Sequence, residues 1–331
     1  MADVALQDLK MYSPLVVNDQ GNNGGHIDLT DQLISGALES TFDDVPSDER
    51  ETGSDKDRKV FLAVQSNNNG STMSNHVWLH VPTPGEDWAV FYPATVLDTA
   101  ATVAKTTPYG AGVLASSVSI GATQVVITVE DSSLSGIFRN GEKFIISNKE
   151  FASSTTNNAE KRTANAVPGA VGTQVTITFD EPLTKAFAAG SMVSSIYEPG
   201  TISASVSGST VTSTAGTFDD TKVTLNNIGC TSETLTLTMS SATAFTAVGS
   251  ISGALAAGST VAEYAPTNPT NGSVLATIPT TAFGGAYVNG DTIEIVLIGA
   301  YFAVFENRII PALCGSVSSN KIHLAWSCES S

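Results

Sequence analysis

The sequence predicts an all-β fold built on a β-sandwich, and three observations lead there. Charged residues make up only 14% of the chain, while Gly, Ser, Thr, Ala, Val and Asn are abundant; that bias favours strands and turns over helices or disorder. Between Lys59 and Pro93, three short runs rich in β-branched and aromatic residues are separated by Asn/Gly/Ser and Pro/Gly clusters, the pattern of strands joined by turns. Within these runs the apolar residues alternate. Val60, Leu62 and Val64 share one face, as do Val77, Leu79 and Val81, so each strand offers a face to a core. The third run groups Trp88, Val90 and Tyr92, with Ala89 and Phe91 opposite.

In chain order, residues 1–23 show no clear period, and Val4, Leu6, Leu9 and Met11 give them the character of an N-terminal arm that packs on a neighbour. After Gly24 and Gly25, the residues Leu29, Leu33, Ile34 and Leu38 recur at near-helical spacing. With Asp28 or Thr30 placed to cap it, this predicts one short helix. The stretch DDVPSDERETGSDKD from Asp43 to Asp57 carries acids, Pro and Gly without a hydrophobic period and reads as a solvated loop. Its spacing does not supply the ligand positions of an EF-hand. Residues 24–104 are read as the first part of the sandwich.

A separate small β-domain is expected over 105–199. There GATQVVITV from Gly121 is echoed by GTQVTITF from Gly172, with a further strand over Glu142–Ser147 and a polar loop over Ser153–Asn158. Two copies are too few for a solenoid. Residues 200–331 read as a C-terminal β-region. In it Leu235, Leu237 and Met239 alternate with Thr234, Thr236 and Thr238, giving a dry and a wet face, and the segment from Pro266 to Gly272 marks a turn. Ile293, Ile295 and Leu297 alternate with Glu294, Val296 and Ile298, which suggests a strand buried on both faces with Val304–Ile310 as its partner. Ile322, Leu324, Trp326 and Cys328 form the apolar side of the last strand.

Function is less legible. With 15 basic against 32 acidic side chains the net charge is −17, which argues against docking on nucleic-acid phosphates. The three cysteines, Cys230, Cys314 and Cys328, form no CxxC pair, and with a start lacking an apolar leader they suit a reducing cytoplasm. The most apolar run, Ile293–Phe305, is too short to span a membrane and contains Glu294. No nucleophile elbow, phosphate loop, HExxH or dinucleotide fingerprint is present, and in the GSISG segment Ile251 stands where a nucleophile would be. The adjacent acids Asp180–Glu181 and Asp219–Asp220 would point to opposite faces of a strand. No catalytic, cofactor-binding or metal residue is assigned. The candidate interaction surface is His76, Trp78 and His80, which share a strand face. His76 and His80 would lie about 13 Å apart, too far to ligate one metal ion. A tryptophan between two histidines does suit contact with a protein or a sugar.

About the first 95 residues, taken with about the last 45, resemble a group of small structural proteins from tailed bacteriophages. The resemblance rests on the Gly-Gly lead, the segment from Leu38 to Phe42, the acidic loop, strands of the Val60–Val64 and Val77–Val81 types around an Asn-rich turn, the turn from Pro82 to Gly85, and closing strands over Tyr301–Pro311 and Lys321–Cys328. Where members carry an Arg-rich strand, this chain has Glu306, Asn307 and Arg308. The resemblance implies an immunoglobulin-like sandwich completed by residues of about 285–331 and interrupted by inserted β-domains. It also implies a non-enzymatic virion component of the neck, tail or baseplate, made in the host bacterial cytoplasm. Such a component would form a symmetric homo-oligomer and touch other virion proteins, with no cofactor, nucleic acid or membrane. The alternative is a baseplate, fibre or capsid-decoration protein that holds host glycans through exposed aromatics.

Overall fold

The alternating runs fold as antiparallel strands, and the computed structural model, which describes residues 4–34, 40–67, 69–80, 83, 85–148, 158–317 and 321–330, is all-β. The first elements are β1 (Leu9–Val16), β2 (Gly24–Leu33), α1 (Ser47–Thr52), β3 (Ser54–Val64), β4 (Thr72–Leu79) and β5 (Trp88–Ala94). They are followed by β6 (Tyr109–Leu114), β7 (Gln124–Thr128), β8 (Lys143–Ser147), β9 (Ala159–Thr163), β10 (Ala170–Val171), β11 (Gln174–Thr178) and β12 (Met192–Ser195). Then come β13 (Ser205–Thr212), β14 (Gly216–Phe218), β15 (Thr224–Leu225), β16 (Glu233–Met239), β17 (Ala244–Gly249), β18 (Gly253–Ser259), β19 (Ala276–Thr277), β20 (Phe283–Gly285) and β21 (Thr292–Ile298). The chain closes with β22 (Tyr301–Ile310) and β23 (Leu324–Ser330).

One long sheet runs β10-β11-β7-β6-β5-β22-β3-β1-β2. The second half of its β3, Val60–Val64, is apolar and buried on both faces because both are covered. Val60 and Leu62, with Val304 and Phe91, meet Val77 and Leu79 of β4, which pairs with β23 as a second layer. On the reverse side Phe61 and Ala63 pack with Tyr12, Ile27, Tyr301 and Ala303. Trp326 of β23 closes the first core, its ring edge-on to Phe302 at 5.8 Å and its indole N–H donating to Asn75 Oδ1 at 2.9 Å.

β5 serves two cores. Phe91 belongs to the first, whereas Val90 belongs to a second with Val125, Ile127, Phe144, Ile146, Val175, Ile177 and Val193. This second core is ringed by strands: β12 pairs with β6 and β8, β8 with β9, and a bridge between Ala166 and Thr178 joins the chain after β9 to β11. The echoed segments pair with each other, Val175 opposite Ile127 and Ile177 opposite Val125. A third core lies under the sheet β13-β21-β16-β17-β18, where Leu235, Leu237, Met239, Ile293, Ile295 and Leu297 all point inward. Asn227 ties this unit to the Asn-rich turn after β3: its Nδ2 donates to Ser66 Oγ at 3.0 Å and Gly70 O at 2.7 Å, and its Oδ1 accepts from Ala204 N at 3.1 Å.

Four expectations are corrected. The helix predicted after Gly25 is instead the strand β2, up to Leu33, with Leu38 outside the described residues. β1 supplies its backbone partners and Ile27 its buried contact, while Asp28 accepts from Thr30 N and Oγ1 at 2.9 and 2.6 Å instead of capping a helix. The supposed loop 43–57 contains α1 and the start of β3. Because α1 has no buried residue, it leaves no hydrophobic period to read. The N-terminal arm is in part the strand β1, held between β2 and β3 of its own chain. Finally, β21 is buried on one face only, with Val296 and Ile298 each 39% exposed, and its partners are β13 and β16 rather than Val304–Ile310. After Gly299 and Ala300 the chain changes sheet, so β22 pairs with β3 and β5. Val81, Pro82, Pro84 and most of the Ser153–Asn158 loop lie outside the described residues.

Candidate functional site at the β4 seam

Alternation along β4 sends Val77 and Leu79 into the first core, so His76 and Trp78 face the other way. That other face is not open. β8, β9 and β12 lie across it, and Trp78 packs with Ile145, Met192 and Ile196, leaving it 9% exposed. His76 is 8% exposed, and His80 is half-buried, its backbone N–H donating to His323 O at 2.7 Å. The expected contact surface is therefore an internal seam between the β4–β23 layer and the strand ring. His76 and Trp78 do share a face of β4, while His80 lies just beyond the strand's end, and the sequence could not show what covers that face.

Charged side chains close the rim of the seam. Lys161 Nζ of β9 is 3.0 Å from His76 Nδ1 and 3.3 Å from Ser327 Oγ, and it lies 5.6 Å from the centre of the Trp78 ring. The ammonium donates, so Nδ1 accepts and the imidazole is neutral, with Nε2 3.3 Å from Glu198 Oε1. Glu198 also pairs with Lys143 at 2.7 Å. Burial, then the Lys161 and Lys143 charges, hold the His76 pKa below its ordinary value, with Glu198 opposing them. The Lys161 pKa is lowered by the same burial and by Lys143.

A shallow cleft of about 560 Å³ adjoins the rim, lined by Lys143, Lys161, Arg162, Asn165, Asp180 and Glu181. Its polar groups are largely used by the protein itself. Arg162 donates to Lys161 O, Glu181 O and Pro182 O at 2.7–2.9 Å and pairs with Glu160, while Asn165 Nδ2 donates to Asp180 Oδ1 at 2.8 Å. The arrangement ties β9 to the β4–β23 layer through Lys161, which reaches both His76 and Ser327. Among the described residues no group of three or more His, Cys, Asp or Glu could hold a metal ion. Lys143, Lys161 and Glu198 had no signal in sequence beyond the charged run Glu160–Lys161–Arg162 inside an otherwise uncharged region.

No protein-family model matches the chain, and neither a curated protein nor a solved structure matches it.

Proposed function

We propose that this chain is a non-enzymatic structural component of a tailed-phage virion, at the neck, collar or another tail-connecting position, working as a symmetric homo-oligomer that contacts other virion proteins. The observation that carries the reading is the return of the chain to its starting sheet. β22 lies between β3 and β5, and β23 pairs with β4, so the strand ring and the third sheet occupy long connections within one two-layer unit. An interrupted immunoglobulin-like sandwich is the architecture that the resemblance implies. Insertion is tolerated where the ends of a connection lie close together. The glycan-binding alternative rested on an exposed aromatic, and Trp78 is buried.

Self-assembly needs a surface on which strongly acidic copies can meet, and the outer face of the third sheet supplies one. Thr234, Thr236, Thr238, Thr246, Val248, Val296 and Ile298 lie there, and Glu294 is the sole charge on that face of its five strands. A soluble surface usually carries about a quarter to a third charged residues. Strand spacings give the face an area of roughly 550 Å². Two copies packed face to face would bury roughly 1,100 Å², enough for a specific contact. Val248, 50% exposed, is the probe: Val248→Asp is expected to convert an oligomer to monomers in light scattering while the circular dichroism spectrum keeps the parent's β-strand signature, with the melting temperature falling only by the stabilisation that association supplied. An oligomer that survives the change would place the contact elsewhere.

Antibody labelling of intact particles under negative stain tests the location. Label at the head–tail junction supports the connector reading, whereas label at the tail tip or over the capsid moves the assignment to baseplate or decoration. Unlabelled particles would overturn the virion reading.

A further inference from the structure

Glu306 lies in the middle of β22, with Arg58 directly opposite on β3 and Phe91 opposite on β5. The residue is 3% exposed, and its Oε2 has no hydrogen-bond partner. Charged and polar groups approach from every side. β3 contributes Arg58 and, two residues away on the same face, Lys56; β22 itself contributes Arg308; the segment 41–43 lies across them. The Thr41 side chain meets the Glu306 carboxyl, the Phe42 ring lies 5.6 Å from the Arg58 guanidinium, and Asp43 O accepts from Arg308 Nη1 at 3.5 Å.

None of the flanking cations is paired with Glu306. Arg58 donates to Asn18 O at 3.1 Å and pairs with Asp19 at 2.5 Å and Asp43 at 3.8 Å. Lys56 pairs with Asp19 at 3.2 Å and Glu49 at 2.5 Å. Arg308 Nε pairs with Asp87 at 2.7 Å. An unpaired carboxylate in this position would be costly, so the closed structure holds the neutral acid. Burial pushes the Glu306 carboxyl up to about 7, with Thr41 opposing the shift.

We infer that Glu306 and residues 41–43 form a pH-operated latch, in which loss of the Glu306 proton to water draws Arg58 away from Asp19 and Asp43 and lifts the segment off the sheet. Arg58 is the cation that moves because its acid partners are exposed, Asp19 at 43% and Asp43 at 72% of their side chains, so those pairs are weak. The Arg308–Asp87 pair is buried on both sides, at 10% and 5%, and breaking it would cost more. The latch does not depend on where the protein resides.

Hydrogen exchange of the full chain, followed on peptides spanning 40–46 and corrected for the intrinsic pH dependence of exchange, tests it. If the open segment lets Glu306 titrate as an ordinary carboxyl, opening should rise about tenfold between pH 6 and pH 8.5. In Glu306→Gln the corrected rate should be flat. A wild-type profile as flat as that of the Gln variant would overturn the latch. Should Glu306→Gln fail to fold, the carboxyl carbon shift of Glu306 in the wild type decides. A midpoint close to 7 supports the proposal, and one in the ordinary range of about 4.3 overturns it.

Discussion

Trp78→Ala is expected to lower the unfolding free energy by about 3–5 kcal/mol, as removal of a large buried aromatic does when its surroundings cannot collapse. The indole fills the seam between β4 and the strand ring, against Ile145, Met192 and Ile196. Its truncation removes those contacts and the ring beneath the Lys161 ammonium. Trp78→Phe keeps part of the filling and should lose less. Urea unfolding of the two variants beside the parent measures both costs. A Trp78→Ala loss below about 1 kcal/mol would mean that the two layers do not depend on this contact. Because His76 stays neutral in the seam, acid acts in the same place. The folded-state pKa is lowered, so the unfolded chain binds the proton first, and the stability His76 contributes at neutral pH is lost as pH falls below its ordinary value.

The second large effect is expected at Lys59, where replacement by Met should cost roughly 3–5 kcal/mol. The ammonium is enclosed, donating to Gly25 O at 2.7 Å, Asp98 O at 2.9 Å and Val96 O at 3.0 Å, with the Phe61 ring 4.7 Å and the Phe305 ring 5.8 Å away. Met restores volume but leaves carbonyls facing an apolar chain. Arginine should not rescue the site, since its planar fork cannot replace a compact three-donor ammonium. Gly24 makes the enclosure possible. Its φ is +120°, and a Cβ there would meet Asp98 O at 2.7 Å and Phe305 Cζ at 2.9 Å.

Burial pushes the Lys59 ammonium down to about 8, which remains protonated at neutral pH. Between that value and the ordinary lysine range near 10.4, the unfolded chain binds more protons than the folded one, so the Lys59 contribution rises with pH. Lys59→Met should abolish that slope. Melting temperatures of parent and variant at pH 7 and pH 9.5 test it, and parallel changes in the two proteins would show that Lys59 does not titrate in this window.

Much of the fold was legible because strands record their burial locally. The alternation of Leu235, Leu237 and Met239 against threonines needs no knowledge of the partner strand, and it became β16 with that face inward. The echo of Gln124–Thr128 in Gln174–Thr178 likewise became a strand pair. The errors came where a local signal had two readings. Leucines four apart in 29–33 fit a helix face, but Ile27 and the backbone of β1 made the segment a strand. Ile293–Ile298 is apolar at almost every position, yet half of those side chains reach the surface, because apolar type does not say whether a second layer exists.

The candidate site shows the same division. Period two placed His76 and Trp78 on one face, and that held without any tertiary information. Whether the face met solvent, a partner or the chain itself was decided by β8, β9 and β12, which begin more than sixty residues away along the sequence. The same applies to Lys59 and Glu306. Lys59 only ends the charged run Asp55–Lys59 and Glu306 only begins the polar triplet Glu306–Arg308, and the folded neighbours alone supplied carbonyls to the first and left Oε2 of the second without a partner. The sequence alone determined that the chain is all-β, which strand faces are apolar and where its turns fall, because these follow from side-chain alternation and backbone preference over a few residues. The tertiary structure decided which strands share a sheet, which face is covered and which buried charge is compensated. Each of those depends on contacts between residues far apart in the chain, whose free energy appears only when the parts meet.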